Sequence, residues 1–171
     1  MPREDAVGRL ARQIDAASKS ERFSVDAEAV RGLRRRGAAE LHRVCAEFVS
    51  SVNRNLSEAA VELAPSGYSP ETLRESGVNV MQISSQGRAL QITFRSTHEL
   101  FSTEKFLVPY VLEGELRGFN QQMLDRMEVR SQLVFFCVNH EGAAWRFYDW
   151  RGPRSAPFDR DLLAGLMQRL F

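Results

Sequence analysis

Three observations predict an α+β fold. Apolar residues recur at helical spacing up to about residue 64. Short alternating runs broken by Gly and Pro follow from Pro65, and an amphipathic segment closes the chain after Asp159. The expected architecture is a helical N-terminal region (1–64) with one very long helix at about 25–63. A mostly antiparallel sheet of about six strands and a C-terminal helix (65–171) then form one folded unit with that long helix.

The first helix is expected over about Asp5 to Ser18, with Val7, Leu10, Ala11, Ile14 and Ala17 on one face. The second starts at Ser24, a good N-cap, with Asp26 and Glu28 at the positive end of its dipole. Its stripe is Val30, Leu33, Gly37, Leu41, Val44, Phe48, Val52, Leu56, Ala59 and Leu63. Nine intervals cover 33 residues, a mean of 3.67, closer to a straight helix than to the 3.5 of a left-handed coiled coil. From Val30 to Leu63 that stripe would run about 50 Å. A six-strand sheet is only about 25 Å across. The excess predicts a homodimer, with Val30, Leu33, Gly37 and Leu41 as the self-association surface, unless the first helix covers them.

Ser69-Pro70-Glu71-Thr72 begins a short helix. Three hairpins are expected next. Strands 78–84 and 89–95 turn at Gly87, strands 106–112 and 115–120 turn at Glu113-Gly114, and strands 132–139 and 144–150 turn around His140. Pro109 places its strand at a sheet edge. Leu133–Val138 is apolar on both faces and predicts a central strand covered on two sides. Asp159 caps the last helix, with Phe158 and Leu163 at the spacing of a hydrophobic staple.

Composition removes several functional classes. The 171 residues are 43% hydrophobic and 26% charged, enough for a core without disulfide or metal. A net charge of +1 gives no field for nucleic acid or an anionic membrane. The Arg34-Arg35-Arg36 run is balanced locally by acids and reads as a solvated helix face. Of 23 basic residues only two are lysine, read as the genome composition of a bacterial source. No apolar run approaches a membrane span, and the first residues lack the apolar segment of a secretion signal. Two cysteines in apolar surroundings fit a reduced, cytoplasmic setting.

No catalytic residue, metal site or cofactor is expected. His42, His98 and His140 lack partners at metal spacing, and no nucleophile elbow or phosphate loop occurs. His42 is expected on the helix surface, and Cys45 and Cys137 in the core. His98, in the polar stretch Arg95-Ser96-Thr97-His98-Glu99, is the candidate for a site rim. In Trp145–Arg151, alternation places Trp145 and Phe147 on one face and Arg146, Tyr148 and Trp150 on the other. The second face is the candidate ligand or partner surface. These features point to a non-enzymatic binding or assembly module that associates through the long helix or the aromatic strand face. The competing expectation is a small-molecule-binding domain or enzyme with a cavity between sheet and helix.

Overall fold

A computed structural model describes residues 6–24, 27–106, 108–139, 141–149 and 154–171, without the side chains of 18–24. Helix α1 (Ala6–Ser24) precedes helix α2 (Ala27–Asn53). Seven strands follow: β1 (Glu62–Ala64), β2 (Asn79–Ser85), β3 (Arg88–Ser96), β4 (Tyr110–Phe119), β5 (Arg130–Asn139), β6 (Gly142–Asp149) and β7 (Arg154–Pro157). A short helix α3 (Gln121–Asp125) joins β4 to β5, and α4 (Arg160–Gln168) ends the fold. Each strand pairs antiparallel with its sequence neighbour, in the order β1 to β7.

The inner face of the sheet carries the main core. Met81 and Ile83, Leu90, Ile92 and Phe94, Leu116, Val134 and Phe136, and Trp145 and Phe147 point toward α2 and α4. Register explains this, because paired residues of an antiparallel ladder share a face. Ile92 lies opposite Leu116, Leu112 opposite Phe136, and Phe136 opposite Trp145. Trp145 Nε1 donates to Gly37 O at 2.6 Å, tying the middle of α2 to β6.

Several sequence expectations change. The long helix ends at Asn53 rather than near 63. The Asn53 side chain donates to Val61 O at 2.9 Å and accepts from Val61 N at 2.8 Å, which turns the chain back into β1. Glu113-Gly114 is not a turn: β4 runs straight through it. There a glycine is needed because a Cβ would collide with Thr93 O and Phe94 Cβ on the neighbouring strand. Merging two expected strands while adding the short β1 and β7 gives seven. Ser24 is the last residue of α1, and the cap expected of it involves a side chain outside those described. His140 also lies outside the described residues. The expected Gly87 turn forms, with Gln86 and Gly87 both at positive φ (51° and 74°). Asp159 caps α4 by accepting from Leu162 N at 2.9 Å.

The connection between β3 and β4 folds over the outer face. A bulge at Val111 shifts register, so Leu112 points inward while Tyr110 points outward beside Cys137. Phe106 stacks on Phe135 at 5.3 Å, and Tyr110 tilts against the same ring at 4.5 Å. Strand β5 is thus covered on both faces. The bulged carbonyl of Val111 is not left bare. It accepts from Arg34 Nε at 3.1 Å and from Thr97 N at 3.2 Å.

Candidate functional site

The residues singled out from sequence do not converge. Arg146 and Tyr148 lie on the outer face of β6, as alternation predicts. Arg146 Nη2 donates to Ser155 Oγ at 2.9 Å, and Tyr148 meets Phe106 edge-on with centroids 5.4 Å apart. Trp150 lies outside the described residues. His98 is exposed in the β3–β4 connection, on the rim of an open cleft of about 1490 Å³. Arg34, Glu75, Arg95, Lys105 and Glu113 line that cleft, but Arg146 and Tyr148 do not.

Arg34, Glu75, Arg95, Lys105 and Glu113 pair with one another in the cleft. Glu113 Oε1 lies 3.0 Å from Arg95 Nη2, and its Oε2 lies 3.7 Å from Lys105 Nζ. Glu75 Oε2 accepts from Ser96 Oγ at 3.3 Å and sits 3.7 Å from Arg34 Nη1, while Glu75 Oε1 is buried without a hydrogen bond. Arg34 itself donates to Thr97 O, Glu99 O and Val111 O, so it is a structural clamp on the loop. Burial lowers its pKa, and Glu75 opposes that. No hydrogen bond among the described residues joins His98 to a hydroxyl or thiol. Burial also raises Cys45 to about 12 and Cys137 to about 11, far from the range of a reactive thiolate. Among the described residues no group of three or more His, Cys, Asp or Glu could hold a metal.

His42 is interior, not on the helix surface. It is buried, stacks on Tyr68 at 5.4 Å and bonds Pro65 O through Nε2 at 2.8 Å, because the chain after α2 folds back over that face. The expected self-association surface is also interior. Val30 and Leu41 are buried, a Cβ on Gly37 would strike Phe136, and Leu33 packs against the same core. The shorter helix and wider sheet let the chain cover this stripe itself, and no described side chain of α1 belongs to the core that does so.

The uncovered stripe belongs to α1. Val7 is 70% exposed, and Leu10 and Ile14 are each 55% exposed. No described residue of α1 belongs to either core cluster. Ala16, on the opposite side of the helix, faces the His98 cleft, so the apolar stripe points away from the body. No protein-family model, curated protein or solved structure matches this chain. Geometry alone therefore carries the functional argument. Val7, Leu10, Ile14 and Ala17 are spaced 3, 4 and 3, the a and d positions of a heptad seam. β-branched Val7 and Ile14 fall at a and Leu10 at d, the combination that favours two strands. The flanking e and g positions, Ala11 and Gln13, are uncharged, while Arg9, Arg12 and Asp15 lie off the seam. The spacing was readable in sequence. Its direction, away from the body, was not.

Proposed function

We propose that this chain is a non-enzymatic assembly module whose α1 pairs with α1 of a second copy. The observation that carries it is the 3–4–3 stripe on α1, with Leu10 and Ile14 each more than half exposed. Identical helices meeting along this seam bring no like charges together at e and g, and each buries its Leu and Ile knobs on the other. The α2–sheet–α4 body is then a rigid platform that each copy carries. Four core positions make a short seam, so pairing is weak and concentration-dependent.

Sedimentation across a micromolar-to-millimolar series tests the reading. The expected mass rises from 19.4 kDa toward twice that value, and Leu10→Glu with Ile14→Glu holds it at 19.4 kDa throughout. A native chain that stays at 19.4 kDa at every concentration overturns it, as does a variant that associates equally well. Both substituted side chains are more than half exposed and belong to neither core cluster, so thermal unfolding of the variant serves as the control for folding.

A further inference from the structure

We propose that a pocket at the corner of the inner sheet face binds a small amphiphile with an aliphatic body and an anionic head, carboxylate or phosphate. The pocket has a volume of about 390 Å³, within the range of ligand sites, and is more enclosed than the His98 cleft. It is a different site from the α1 seam and stands independently of it.

The alternation of β5 marks the place. Phe136 and Val134 point inward into the core, and Gln132 and Arg130 continue the same face as polar residues. Opposite them on β4 are Leu116 and Gly118. A buried inner face would be apolar here, whereas Gln132 and Arg130 line an open space instead. Leu90, Leu116, Met123, Leu166 and Leu170 supply an aliphatic floor and wall. Arg130 and Arg169 stand at its edge, and neither makes a side-chain hydrogen bond or ion pair with any described residue. Two guanidiniums beside an aliphatic floor match an anionic head on an apolar chain. Glu128 and Asp149 also line the pocket and disfavour a head of more than one or two negative charges.

The wall is held in place before any ligand arrives. Asn120 caps α3 by accepting from Met123 N at 2.9 Å and donates to Leu170 O at 3.0 Å. Arg88 Nε donates to the same carbonyl at 3.1 Å. Met123 and Leu170 are thus fixed by one pair of donors and one cap, which lowers the ordering cost of binding.

Calorimetric titration of the full chain with decanoate, decyl phosphate and decylamine tests the site. Saturable one-to-one binding of decanoate or decyl phosphate is expected, with decylamine binding at least about tenfold weaker. Stronger binding of one acid than the other identifies the head. Arg130→Gln with Arg169→Gln should weaken the anion about tenfold or more and leave unfolding unchanged, since both side chains are exposed. Absence of saturable binding to either anion, equal binding of decylamine, or an unaffected double variant each overturns the proposal.

Discussion

Arg34 shows how one side chain decides the shape of a loop. Without its guanidinium the carbonyls of Thr97, Glu99 and Val111 would turn inward with fewer donors, and the bulge that aims Tyr110 outward would lose a partner. Burial raises the Cys45 thiol from 9.0 to about 12. Below pH 9 the thiol is neutral in folded and unfolded chains alike, so its contribution to stability is complete. Above that the unfolded chain loses the proton first, and stability falls until the pH passes the folded value, by up to about 1.4 kcal/mol per pH unit. Unfolding free energies of the native chain and Cys45→Ala, measured at increasing alkaline pH, should therefore converge. In the native state near neutral pH both Cys45 and Cys137 should resist thiol reagents and react only after denaturation; rapid native labelling at either would contradict their burial.

Helix α2 is positioned by small residues rather than by its propensity. Gly37 sits in mid-helix, where Ala would favour the helix by about 1 kcal/mol. A Cβ there would lie 2.5 Å from Phe136 Cδ1, and overpacking of that kind costs about 1–3 kcal/mol. The clash also pushes on Phe136 just where Trp145 reaches the Gly37 carbonyl. Gly37→Ala should therefore lower the urea midpoint; a rise would mean that propensity outweighs packing. The same logic explains why β4 tolerates Gly114 in mid-strand. Its obstacle is backbone, Thr93 O, which cannot rotate away.

At the scale of the whole molecule the chain divides into a packed body and an exposed helix. The body is a meander in which each strand finds its sequence neighbour, with α2 and α4 closing one face and Phe106 and Val108 closing part of the other. None of the described side chains of α1 (6–17) belongs to either cluster. Deleting residues 1–17 should accordingly leave the unfolding free energy of the dilute protein within about 0.5 kcal/mol of the native value while abolishing association. Loss of several kcal/mol on deletion would place α1 in the fold rather than at an interface. Among the described residues no helix is long and apolar enough to cross a membrane.

Periodicity in the sequence determined which residues of each segment share an apolar face. From it follow the α+β class, the burial of Cys45 and Cys137, the double covering of β5, the cap at Asp159 and the opposite faces of Trp145 and Arg146. Spacing reports the apolar face and not what lies against it. Only the tertiary structure decided that Val30 and Leu41 are buried in the chain's own core, that His42 is interior, and that Leu10 and Ile14 are each more than half exposed. Leu56, Ala59 and Leu63 kept the rhythm of α2 although the helix had ended: Asn53 folds the chain back, Leu63 in β1 packs on the same core, and Leu56 is exposed. Likewise, nothing local to Arg130, Gln132, Leu166 and Arg169 joins them. They meet because antiparallel register carries β5 past the edge of the helical cover, where the C-terminal turn of α4 comes to rest.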